Sequence, residues 1–156
     1  MEKERMSEFY QAMQEMLRDP KILQMKNYAQ HSSSNTFCHS VSVAKTAYRL
    51  SKFFHLKVNE KSLAKGAMLH DFYLYNARGG HIGAWEHGTN HAETALKNSM
   101  KHYELTKLEK DIIYCHMWPL NITRIPRSKE CLLISMADKY CAAKELMSRK
   151  KKNHAA

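Results

Sequence analysis

Between residues 4 and 17 the apolar side chains Met6, Phe9, Tyr10, Met13, Met16 and Leu17 return every three or four positions, the period of one helix face. Asp19-Pro20 closes that run. Residues 21–29 predict a second short helix, and the polar stretch 31–35 reads as a loop. Thr36 stands where a cap is needed for the next helix, over 37–54, which sets Val41, Ala44, Tyr48 and Phe54 on one side and leaves Lys45, Arg49 and Lys52 for water. His39 falls in its first turn. Asn59 is an N-cap for a helix through Leu63, Ala67 and Met68 that delivers His70 and Asp71 near its end. After a glycine-bearing loop over 76–88, Thr89 or Asn90 caps a helix holding Ala92, Ala95, Leu96 and Met100. Thr106-Lys107-Leu108-Glu109 has the form of a capping box, opening a helix that takes in Ile112 and Ile113 and reaches His116 before Trp118-Pro119 stops it. Past the loop 120–127, Ser128 starts a last helix through Leu132, Leu133, Met136, Ala137 and Tyr140, with Asp138 inside it.

Every predicted element is helical, so the expected fold class is all-α. The 5 Gly and 3 Pro are too few and too scattered to form a linker, and 156 residues that are 44% hydrophobic suffice for one core. Within a single domain, residues 1–35 are expected to supply N-terminal helices packed on a core over 36–148, with a disordered basic tail at 149–156. The segment MEKERMSEFY carries charge where a signal peptide needs an apolar run, and no stretch is long and apolar enough to cross a bilayer. The expectation is a cytoplasmic protein without membrane association. Cys38, Cys115, Cys131 and Cys141 occur singly, without the paired spacing of a zinc knuckle or a disulfide framework. The net charge is +10, of which residues 144–156, with five Lys/Arg and one Glu, contribute +4. Such a balance suits a phosphorylated substrate or nucleic acid, yet a solvated basic surface accounts for it equally well.

Chemistry enters through the placing of His and Asp. His39, the pair His70-Asp71, His91, His116 and Asp138 each fall on or beside a different predicted helix. Imidazole and carboxylate are the ligands a divalent transition metal takes when no thiolate is offered, and helices of a bundle can aim them at one interior point. The order His, His-Asp, His, His, Asp, with Ala67-Met68-Leu69-His70-Asp71 as its strongest segment and Ala137-Asp138 as support, resembles the HD superfamily of metal-dependent phosphohydrolases. The likeness extends over roughly residues 36–142. It implies a single-domain HD-type helical bundle in which His39, His70, Asp71 and Asp138 form one metal site and Asp71 bridges to a second formed with His91 and His116. His91 is preferred to His87 because His91-Ala92-Glu93-Thr94-Ala95-Leu96 is similar to the family's His followed by an Ala/Leu-patterned helix; Ala92 stands where that family often has Pro. Asp71 and His70 take the catalytic role in this reading. The implied cofactor is dinuclear, iron or manganese ahead of zinc, and the implied reaction is hydrolysis of a phosphoester or phosphoanhydride of a nucleotide or dinucleotide by metal-activated hydroxide.

The loop after the His-Asp doublet would border such a pocket, which makes Arg78 a phosphate-binding candidate and Tyr75 and Trp85 candidates for stacking on a base. His87, Trp118 and Lys139 complete the substrate-binding candidates, while loop packing and solvation explain the same residues without any ligand. His31, His55, His81, His102 and His154 read as surface or loop residues. Two rivals remain at this level: a metal-bearing protein that senses a nucleotide without turning it over, and a basic helical module that binds nucleic acid. The same ligands also permit redox use of a di-iron centre.

Overall fold

An 11-residue helix is marginal in water on its own, so the first element, α1 (Glu8–Arg18), forms because one face is covered. Phe9, Ala12, Met13 and Met16 are buried there, and Phe9 stacks on Tyr48 with ring centroids 4.1 Å apart. Each large side chain so covered contributes about 1.5–3 kcal/mol. Tyr10, placed on the same face by spacing, is half exposed instead. The computed structural model describes residues 6–30, 34–76 and 84–154, and for 84–87, 89 and 149–154 it describes the backbone alone.

Six further α-helices follow: α2 (Pro20–Leu23), α3 (Thr36–Phe53), α4 (Glu60–Leu69), α5 (Ala84–His102), α6 (Lys107–Cys115) and α7 (Lys129–His154). A 3-10 turn, Gln24–Asn27, extends α2. No strand occurs among the described residues, so the all-α class is observed. None of their helices is long and apolar enough to cross a membrane.

The ends follow local chemistry. Asp19 caps α2 through its side chain, with Pro20 at the first helical position. The cap of α3 is Asn35, whose side chain accepts from the Cys38 amide at 2.8 Å; Thr36, the expected cap, is instead the first helical residue and gives its hydroxyl to the Tyr28 carbonyl. Asn59 caps α4, Thr106 and Glu109 form the expected capping box of α6, and the Ser128 hydroxyl accepts from the Cys131 amide at the head of α7. Two boundaries differ from expectation. The helix α5 begins at Ala84, so Thr89 and Asn90 lie inside it. The helix α7 runs through His154, where a disordered tail is expected from 149. Residues 144–152 are mostly good helix formers, which favours continuation of the helix.

At the centre lies α4. Leu63, Ala64, Gly66, Ala67, Met68 and Leu69 are all buried, because α1, α3, α5, α6 and α7 all touch it. Gly66 allows one of these approaches: a Cβ there would stand 2.7 Å from Ile112 Cγ2. The covered side of α3 is His39, Ser40, Val43, Ala44, Ala47 and Ser51, with Phe54 just past the helix end and half exposed. Around α4, the helices bring one end of α3, α4, α6 and the middle of α5 and α7 to a single interior point.

Candidate metal centre

All six residues singled out by the sequence meet at that point, and all are buried. His39 comes from the first turn of α3, His70 is the residue that ends α4, and Asp71 follows it. His91 is on α5, His116 ends α6, and Asp138 is on α7. Asn98 of α5 pins the turn that leaves α4, donating to the carbonyls of Phe72 (3.2 Å) and Tyr73 (3.0 Å).

The two oxygens of Asp71 face opposite ways. Its Oδ2 lies 3.4 Å from His70 Nε2 and 3.8 Å from His39 Nε2, and Asp138 Oδ1 joins that side at 3.0 Å from His39 Nε2 and 3.6 Å from His70 Nε2. Its Oδ1 lies 3.3 Å from His91 Nε2 and 3.5 Å from His116 Nε2, which are themselves 2.9 Å apart. Ligands held about 2.1 Å from one ion stand about 3–3.6 Å apart at tetrahedral or octahedral angles, the range most of these pairs fill. Two groups therefore can each hold a metal ion: His39, His70, Asp71 and Asp138, and Asp71, His91 and His116.

Tautomers support the same fit. His70 Nδ1 is 2.7 Å from the Ala67 carbonyl and His116 Nδ1 is 2.8 Å from that of Ile113. A carbonyl only accepts, so each Nδ1 carries a proton and each Nε2 points inward, where a metal ion would take the place of any proton it bears. His70 Nε2 and Asp71 Oδ1 are buried with no hydrogen-bond partner, one on each side of the bridging carboxylate. Buried orphans of this kind are costly, and a bound cation satisfies both. His39 Nδ1 donates to Glu145 Oε1 at 3.0 Å. Asp71 Oδ2 accepts from Gln30 Nε2 at 2.7 Å, and Gln30 Oε1 in turn accepts from the Tyr73 and Thr36 hydroxyls.

Charge is balanced by mutual pairing. Burial alone lowers the pKa of His39, but hydrogen bonds to Asp138 and Glu145 outweigh it and push the value up to about 9. Burial likewise opposes charge on His70, whose pKa is nonetheless raised by Asp71 and Asp138. Burial works against ionisation of Asp71 and Asp138 too, and the surrounding histidines hold both well below the usual carboxylate range. Burial pushes His116 down to about 4, with Asp71 opposing, so it is a neutral ligand at pH 7.

A cleft of about 310 Å³ opens onto Asp71, His91 and Asp138, walled by Met117, Leu120 and Lys139. Lys139 Nζ donates to the His116 carbonyl at 2.7 Å, which places this substrate-binding candidate at the mouth. Trp118 is half-buried and does not line that cleft. Tyr75 packs on Tyr73, centroids 4.6 Å apart. Arg78 and the side chains of Trp85 and His87 lie outside the described residues. Sequence reasoning missed Glu145 and Gln30. Glu145 stands seven residues after Asp138, two turns along the same helix face, a signal that points to it; nothing in the sequence marks Gln30.

No protein-family model matches the chain, and comparisons with curated proteins and with solved structures likewise find no match. The site is therefore read from its own chemistry: a buried, all-N/O donor set of four histidines and two aspartates, suited to a transition metal.

Proposed function

We propose that this protein is a dinuclear metal-dependent phosphohydrolase of the HD type, cleaving a phosphoester or phosphoanhydride bond in a nucleotide or dinucleotide. One observation carries the reading: a single buried carboxylate, Asp71, presents one oxygen to each of two ligand groups. His39, His70 and Asp138 would hold one ion with Asp71, and His91 and His116 would hold the other, with Asp71 shared between them. Iron or manganese fits this nitrogen-rich set, with zinc next. Bound there, a metal pair supplies Lewis acidity toward phosphate oxygens and activates water near neutral pH.

The chain's own groups then orient the substrate. Lys139 offers a cation at the mouth beside Asp138 Oδ2, 3.4 Å away, and fixes one phosphate oxygen there. Met117 and Leu120 give the organic part an apolar wall and thin the water around the reacting phosphate. Gln30 and Glu145 hold Asp71 and His39 in place.

Elemental analysis of the purified protein, paired with a panel of phosphoesters and nucleotides, tests this. We expect close to two transition-metal ions per chain, a sharp fall in Asp71→Ala, loss of about one in His91→Ala, and hydrolysis that tracks metal content. Two metals with binding but no turnover across the panel would identify a nucleotide sensor instead. Absence of metal after reconstitution of folded protein rejects the proposal altogether.

A further inference from the structure

A second cleft, of about 400 Å³, lies on the outer face of α6 against the loop 117–128. Its walls include Lys107, Asp111 and Tyr114 of the helix and Arg124, Ile125 and Arg127 of the loop. None of these residues belongs to the metal centre, which uses the opposite, buried side of α6. Three cations thus face one carboxylate, and Asp111 forms no ion pair with any of them among the described residues.

Arg124 distinguishes this cleft from an ordinary basic surface. Its side chain is only 10% exposed, its guanidinium carbon sits 4.1 Å from the Tyr114 ring centroid, and Nη2 reaches Glu93 at a loose 3.5 Å. Nη1 is buried and has no hydrogen-bond partner. A fixed, desolvated guanidinium with an unused donor edge calls for an oxyanion, and the planar fork matches phosphate geometry. Lys107 and Arg127, both exposed, supply the further charge a dianion needs. The volume exceeds that of phosphate alone, and Tyr114 and Ile125 offer apolar wall to whatever carries it.

We propose that this cleft is a binding site for a small phosphate-bearing molecule, separate from the metal centre. Leu120, which walls the metal cleft, is carried on the same loop as Arg124 but does not line this cleft.

Titration calorimetry of the metal-loaded full chain with inorganic phosphate, against chloride at matched ionic strength, tests it. Expected is a saturable site whose affinity falls about tenfold or more in Arg124→Gln. Because Arg124 is packed, Lys107→Ala and Arg127→Ala serve as exposed variants: each weakens phosphate by about threefold, and together by about tenfold, with metal content and melting midpoint unchanged. Phosphate binding that survives the Lys107/Arg127 double variant and is lost in Lys139→Ala places the ion on the metal centre and overturns the proposal. No saturable binding overturns it as well.

Discussion

Whether an imidazole can hold a metal depends on where its proton sits. At His70 and His116 a backbone carbonyl takes the Nδ1 proton; at His39 the carboxylate of Glu145 takes it. At His39 both ring nitrogens face carboxylates, and its pKa is raised from 6.5 to about 9. A raised folded-state pKa contributes stability that is complete below pH 6.5 and lost as pH climbs through about 9. Metal-free protein is therefore expected to lose on the order of 3 kcal/mol of stability between those limits, read from urea unfolding at stepped pH. Metal binding removes the Nε2 proton of His39, so apparent metal affinity should rise over the same interval. A metal-free protein whose stability is flat from pH 6.5 to 9 would disprove the His39 pairing. Glu145→Gln keeps an acceptor but removes its charge. We expect it to weaken metal binding by about 10–100-fold, as loss of a ligand-supporting group does, while leaving the helix intact.

Among the elements, α4 shows what spacing can and cannot convey. Its cap and apolar run are legible, and so is the His-Asp doublet at its end. Its burial on nearly all sides is a tertiary fact, invisible until the other helices are placed. Gly66 is the clearest instance. By helix propensity, Gly66→Ala should stabilise by about 1 kcal/mol. The 2.7 Å approach to Ile112 Cγ2, an atom fixed next to the helix, reverses the sign. We expect Gly66→Ala to destabilise by roughly 1–3 kcal/mol in urea titration and to lower metal occupancy, because it separates the helices that carry His70 and His116. The six cluster residues are legible through their order along the chain, which resembles that of a known family; any one of them alone reads as a surface or hydrogen-bonded residue. Glu145 is marked only by its spacing of seven from Asp138, and a carboxylate on a lysine-rich helix reads first as a solvated residue. Not legible were the start of α5, where Gly88 inside a helix resembles a loop, and the length of α7, whose charge mimics a disordered tail.

For the molecule as a whole, the cluster joins the long helices α3, α5 and α7 to the C-terminal ends of α4 and α6, so an ion bound there stabilises only the folded state. Free metal at a hundredfold over its dissociation constant adds about 2.7 kcal/mol, equivalent to about 5–10 °C in a domain of this size. Chelation of the loaded protein should lower the melting midpoint by that much, and Asp71→Asn protein, altered at the carboxylate both groups share, should respond far less to chelator. A midpoint indifferent to chelation in the wild type would mean that the cluster is held by its own ion pairs alone.

The two ligand groups are unequal in the order in which the chain supplies them. Asp71, His91 and His116 precede α7, and the His116 imidazole is set by a carbonyl of its own helix; the other group waits for Asp138, and His39 waits for Glu145 beyond it. During synthesis from the N-terminus, the group of Asp71, His91 and His116 leaves the ribosome complete while the other still lacks Asp138. The last helix thus has the position of a latch: on docking it would complete the group formed by His39, His70, Asp71 and Asp138.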